Sequence, residues 1–201
     1  MSLLFSPSST KTPEPFSAKE GGFGLIELMV SISIMMVVSA VIMARHSSFN
    51  GAVLLRSQAY EIALSIREVQ MSAVSAESNG LGSFRATEGV YFNTSNPTQY
   101  QIFRDADNDS FYDSSEQYGK QGIVDKRFEI RAIRVIGDTV TGTGLAVVFE
   151  RPNFDAKFYD SAGQVNASSV EIDLAKKDAV GNGPDVVKTI EITGTGQITV
   201  K

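Results

Sequence analysis

Apolar residues follow three different rhythms along the chain. From residue 23 to residue 44 nearly every position is apolar or small, and a single charge, Glu27, interrupts the run near its start. Farther on, Leu55, Ala59, Ile62, Ile66, Val69, Ala73 and Ala76 recur at spacings of four and three, which places them on one stripe of a helix. Glu61, Glu68 and Ser75 repeat every seven residues on another side. The simplest reading is a helix from Phe23 to about Ala76, with residues 47–51 as a weak spot where it can bend or loosen. A free-standing coiled coil is the alternative, but the stripe is short and rich in Ala, which favours packing against a sheet. Ser78-Asn79-Gly80-Leu81-Gly82 then supplies the breakers expected where a helix ends.

After these breakers the pattern turns to short runs rich in Val, Ile, Phe, Tyr and Thr, separated by Gly, Asn, Asp and Pro clusters. Residues 89–92, 99–103, 128–136, 144–149, 169–174, 187–193 and 197–200 are the expected strands. Thr-Gly-Thr-Gly occurs at 141–144 and again at 193–196; both read as turns between strands, and two copies of a turn do not make a structural repeat. The fold class expected is α+β, a long N-terminal helix packed on a mostly antiparallel β head.

The first run has the length of a membrane span. As a helix, its 22 residues rise about 33 Å, enough for a hydrocarbon core of roughly 30 Å. A lone apolar segment crosses lipid as a helix, because every backbone polar group must then be satisfied within it. A carboxylate in such a segment is costly and is kept where it has a partner. Glu27 therefore asks for a cation.

Gly21-Gly22-Phe23-Gly24-Leu25-Ile26-Glu27-Leu28-Met29-Val30 resembles the signal of type IV pilins and pseudopilins. The resemblance is specific from Gly22 to about Ala44, and Gly24 stands where a hydroxyl residue is commoner. It implies that a prepilin peptidase cleaves after Gly22 and that Phe23, the new N-terminal residue, is methylated. It also implies that Glu27 pairs with the N-terminal amine of a neighbouring subunit during filament assembly, which would answer its charge in low dielectric. The parts expected are a cytoplasmic leader at 1–22 that is removed, a transmembrane half-helix at 23–44, an amphipathic half-helix at 45–78, and a β-rich head at 79–201. A secretory signal peptide has a shorter apolar region with its cut site after it. An ordinary signal anchor explains the length but not Gly22, Phe23 and Glu27 together.

Composition adjusts this picture in three places. The formal net charge of −5 survives loss of the leader, which carries Lys11, Lys19, Glu14 and Glu20. The leader is rich in Ser and Pro without apolar periodicity and reads as disordered. Lys11 and Lys19 precede the span while Arg45 and His46 follow it, so the positive-inside rule does not orient it. The resemblance does: it implies a single pass through the cytoplasmic (inner) membrane with the C-terminal domain outside. There are no cysteines, a departure from the many pilins with a disulfide near the C-terminus, and thiolate metal sites and thiol catalysis are excluded.

The second informative segment is Asp105-Ala106-Asp107-Asn108-Asp109-Ser110-Phe111-Tyr112-Asp113-Ser114-Ser115-Glu116. Side-chain oxygens fall at loop positions one, three, five, nine and twelve, with the Phe111 carbonyl at seven. This is the ligand spacing of a calcium loop, in which a hard cation gathers six to eight oxygens on a short turn. Position six is Ser110, where that motif wants Gly, and the flanks read as strand and loop rather than helices. A solvated acidic turn is the alternative. In a head without disulfides, calcium here would act as a staple. Such a loop between β segments resembles, loosely, those of H-type minor pseudopilins of type II secretion and FimT-like minor pilins.

Catalysis finds little support. The single histidine, His46, sits at the expected membrane exit, and no GxSxG or Gly-rich phosphate loop is present. No organic cofactor is expected. Lys126, Arg127, Arg131 and Arg134 cluster on one strand-like segment, but Glu129 interrupts them and the pI is about 5.0. A nucleic-acid partner is therefore not expected, since phosphate neutralisation needs a concentrated basic face. The expected partners are prepilin peptidase, other pilin or pseudopilin subunits, the cytoplasmic membrane, and a secretion or pilus assembly machinery.

Overall fold

The computed structural model describes residues 22, 24–75, 87–150 and 152–201, apart from the side chains of 44–49. Phe23, the leader before Gly22, Ala76, the breaker at 78–82, and the Arg45 and His46 side chains lie outside the described residues. Two compact units divide the chain, Met1–Ala44 and Arg45–Lys201.

Helix α1 runs over Leu25–Val74 and contributes to both units. In the first, the segment Leu25–Met43 has a mean hydropathy of 2.4 and none of it is buried. An apolar surface of this size without protein cover suits lipid rather than water. The Ser31 and Ser33 hydroxyls donate to the carbonyls of Glu27 and Met29, each at 2.8 Å, so neither carries an unmet donor into an apolar medium. Residues 47–51, expected to be weak, are helical.

In the second unit, α1 supplies one side of the core. Leu55, Ala59, Ile62 and Ile66 are fully buried, and Val69 and Ala73 nearly so, whereas Glu61, Glu68 and Ser75 are exposed. The stripe thus packs on the head as its spacing predicts. Each buried Leu or Ile contributes about 1.5–3 kcal/mol.

The strands are β1 (Thr87–Asn93), β2 (Gln99–Asp105), β3 (Gly122–Ile123), β4 (Phe128–Ile136), β5 (Gly144–Phe149), β6 (Ala156–Asp160), β7 (Gly163–Val165), β8 (Ser169–Lys176), β9 (Val187–Thr193) and β10 (Ile198–Val200). They form two sheets within the expected β head. The first has the order β3-β2-β1-β5-β6-β7 and the second β10-β9-β8-β4. Their ladders are antiparallel. Three of these strands, β3, β6 and β7, were not expected from the sequence. Two or three residues carry no period, and β6, with Lys157 exposed between buried Ala156 and Phe158, follows a Pro-Asn-Phe-Asp stretch that reads as loop.

One core joins α1 to both sheets. Val90, Phe92, Tyr100, Leu145, Val147 and Phe158 enter it from the first sheet, and Phe128, Ile130, Ile172, Leu174 and Ile190 from the second. A second, smaller core lies on the other face of the first sheet, where Phe103, Ala146 and Val148 are covered by Tyr91, Phe111, Tyr112 and Tyr159. β5 therefore has both faces covered and all six residues buried, which accounts for its unbroken apolar run. Both Thr-Gly-Thr-Gly segments border strands: the first leads into β5, the second joins β9 to β10.

Candidate functional site

Gly22 is exposed and non-helical. The Gly24 carbonyl accepts the amides of Glu27 at 3.0 Å and Leu28 at 3.1 Å, closing the first turn of α1. Glu27 lies in that turn, where the positive end of the helix dipole favours a carboxylate. Its side chain is exposed and pairs with no other side chain among the described residues. Phe23, the residue whose amine would answer it, is outside those residues.

The acidic loop starts at the last residue of β2. Asp105 is 8% exposed, and its two carboxylate oxygens accept the amides of Asn108 at 2.6 Å and Ser110 at 3.1 Å. Asp107 accepts the Asp109 amide, and Asp109 the Phe111 amide. These successive bonds wind the chain into a tight turn, with Asn108 at φ 67° and Ser110 at φ 64°. The left-handed conformation that the motif meets with Gly at its sixth position is thus adopted by Ser110, at a cost of roughly 1 kcal/mol.

The turn brings one oxygen each of Asp105, Asp107 and Asp109 within 4.8 Å of one another. Asp113 and Glu116 are not part of this trio. Asp113 is exposed. Glu116 is buried and ties the loop together: its oxygens accept the amides of Ala106 at 2.7 Å and Asp113 at 3.2 Å. Burial pushes the Asp105 carboxyl up; the Asn108 and Ser110 amides oppose this, and the charges of Glu116 and Asp109 add to it. A hard divalent cation suits this donor set, since every group is an oxygen and the crowding of negative charge would be relieved.

The aromatic residues of the loop hold it against the outer face of the first sheet. Tyr112 stacks on Tyr91 at 5.0 Å and meets Phe103 edge-on at 5.7 Å, while Phe111 meets Tyr91 edge-on at 5.4 Å. Any side chain at Gly144 would overlap the Tyr91 ring, so this aromatic platform depends on a glycine across the sheet. Beneath the loop, Arg104 pairs with buried Glu88 at 2.5 Å and lies 3.8 Å from the Tyr118 ring centroid. Its amide donates to the Glu116 carbonyl. The sequence reading missed these supports. One signal was present: adjacent Phe and Tyr within an Asp- and Ser-rich loop need a surface to cover them.

The arginines considered for nucleic acid are engaged within the head. Arg127 pairs with Asp125 at 2.7 Å, and Arg134 pairs with Glu171 and Asp173. Arg131 donates to the carbonyls of Lys176, Ala179 and Gly181.

Residues 17–43 match the prokaryotic N-terminal methylation motif. No curated protein and no solved structure matches the chain. A signal of this type implies processing by prepilin peptidase and assembly with other pilin subunits. The chain carries the N-terminal signal of type IV pilins and pseudopilins, followed by a pilin-like α+β fold.

Proposed function

We propose that this protein is a minor pseudopilin, a structural subunit cleaved after Gly22, methylated at Phe23 and assembled into a type II secretion pseudopilus for protein export. The match over residues 17–43 carries this reading, because a signal for cleavage and N-methylation has no use in an ordinary anchor. Before assembly the subunit resides in the cytoplasmic membrane with its head outside. In the filament, Glu27 pairs with the amine of a neighbour, and helix packing rather than hydrophobicity drives association in lipid. The role is architectural rather than catalytic. The minor-subunit assignment draws support from the acidic loop set into a head without cysteine.

We propose further that the loop binds calcium through Asp105, Asp107, Asp109 and the Phe111 carbonyl, with Asp113 and Glu116 completing the set. The gathered Asp trio and the wound backbone support this. Calcium would supply positive charge and oxygen cross-links, not chemistry.

Deletion of the gene, scored for surface pili and for proteins released into the medium, tests the filament assignment. Loss of release with pili intact is the expected result. Loss of pili with release intact would instead make the chain a minor type IV pilin, serving in priming, at the tip or in DNA uptake.

A further inference from the structure

One end of the second sheet concentrates positive charge in a chain whose net charge is −5. The start of β4, the end of β8 and the start of β9 meet there: Phe128 lies opposite Lys176, and Leu174 opposite Lys188. The Lys177 amide donates to the Arg127 carbonyl at 2.9 Å, which brings Lys126 and Lys177 to the same end. Lys126 and Lys177 are exposed, and Lys176 and Lys188 half-buried. None of the four has an ion-pair partner among the described residues. Arg127 is neutralised by Asp125, Arg131 faces Glu129, and the opposing charges in the β8–β9 loop are Asp178 and Asp185. Four lysines against two aspartates leave this end cationic.

The β8–β9 loop at this end presents an apolar residue to solvent. Arg131 holds the carbonyls of Lys176, Ala179 and Gly181 at 2.9–3.2 Å, and Asp178 and Gly181 take positive φ. Val180, between these anchors, is 98% exposed. A Val side chain that a braced loop holds in water gains when an apolar medium receives it.

The same end of the head packs on α1 at Gly51 and Gln58. The Lys176 ammonium nitrogen lies 3.0 Å from where a Gly51 Cβ would stand, and the Asp125 amide donates to the Gln58 side chain. Residues 44–50 link Met43, the last residue of the apolar segment, to Gly51.

We propose that the Gly51 end of the head docks on an anionic bilayer surface, with Lys126, Lys176, Lys177 and Lys188 at lipid phosphates and Val180 inserted among the headgroups. Lysine stems snorkel in this arrangement, burying methylenes while the ammonium stays at the phosphate level. The docked form is that of the stored, membrane-anchored subunit, so the surface lies beyond the filament role and rests only on Leu25–Met43 being the anchor. Leaving the membrane then requires breaking these contacts.

Because the chain has no cysteine, Val180→Cys gives a single labelling position. The full chain carrying it is reconstituted into vesicles of phosphatidylcholine alone, or of equal parts phosphatidylcholine and phosphatidylglycerol. It is then labelled from outside with an environment-sensitive fluorophore and quenched with acrylamide, a neutral quencher that the surface potential does not repel. Quenching is expected to be about threefold weaker in the anionic vesicles. Protection should vanish in about 0.5 M salt, where the screening length falls to roughly 4 Å. It should also vanish in the combined Lys126→Glu, Lys177→Glu chain. Equal quenching in the two lipids overturns the proposal, and this comparison needs no charge variant to fold. Protection that follows protein density rather than lipid charge also overturns it, since a neighbouring copy would then be the occupant. A chain that fails to float with vesicles of either kind removes the anchor, and the proposal with it.

Discussion

The Tyr112 ring stacks on Tyr91, with 5.0 Å between centroids and 25° between planes. Tyr91 belongs to β1 and Tyr112 to the acidic loop, so this contact converts a solvent-facing turn into part of a second core. Without it, Asp105, Asp107 and Asp109 would sit on a loop free to open and spread its like charges.

Tyr112→Ala should therefore act on the whole loop. Losing a half-buried ring and its aromatic contacts is expected to cost about 1–3 kcal/mol, read as a lower midpoint in urea or thermal melts. Tyr112→Phe keeps the ring and should stay within about 1 kcal/mol of the parent.

Calcium should stabilise the protein through the same loop. With an affinity of about 0.5 mM, typical of extracellular modules, calcium at about 10 mM adds roughly 2 kcal/mol to the folded state. In a chain of this size that raises Tm by about 4–7 °C. Chelation should reverse the shift, and Asp107→Asn, at an exposed position, should reduce it with little effect on the calcium-free protein. Absence of both binding heat and a thermal shift at several millimolar would end the calcium proposal.

Gln70 is fully buried and donates to the carbonyls of Phe154 at 2.7 Å and Gly196 at 2.9 Å, fastening α1 to two loops of the head. Gln70→Leu keeps bulk but strands both carbonyls, at a cost of about 2–4 kcal/mol. Gly196→Ala should be at least as damaging. Gly196 sits at φ 79°, and a Cβ there would overlap the Phe154 carbonyl oxygen. Thermal melts of both variants check this.

Acid should loosen the head through carboxylates held below their ordinary values. Lys201 and Arg134 lower Glu171 from 4.5. Burial alone would raise Asp160, but the amides of Thr141, Ala162 and Gly163 outweigh it and hold it below 3.8. The folded state then binds fewer protons than the unfolded one. The stability these groups add is present above the ordinary values and lost as pH falls through the folded ones. Melting temperatures taken from about pH 6 down to pH 2 should decline in the lower part of that range. Asp160→Asn should flatten part of the decline.

Glu27→Ala should leave cleavage after Gly22 intact and block incorporation into filaments. Mass spectrometry of the membrane-held protein reads the first, and its content in sheared filaments the second. Normal incorporation would refute the pairing role of Glu27.

Legibility in the sequence followed the range of the forces involved. The spans of β4, β5 and β9 and the helix stripe were readable because each is a local pattern of residue types along the chain. The Asp spacing was readable for the same reason, and the structure gathers the first three carboxylates as that spacing implies. Asp113 and Glu116 lie outside that trio, and Glu116 accepts the backbone amides of Ala106 and Asp113. No spacing rule carries that information.

By itself the sequence determined the apolar N-terminal segment and its methylation motif, the buried face of α1 and the α+β class, all set by residues close together in the chain. Tertiary structure alone decided that the strands divide into two sheets and that the chain turns back to form β6 and β7. It also decided that Phe111 and Tyr112 close a second core over Tyr91 and Phe103. These outcomes depend on pairing and packing between segments far apart in sequence, where a strand's partner is chosen by the surfaces left uncovered rather than by its own pattern.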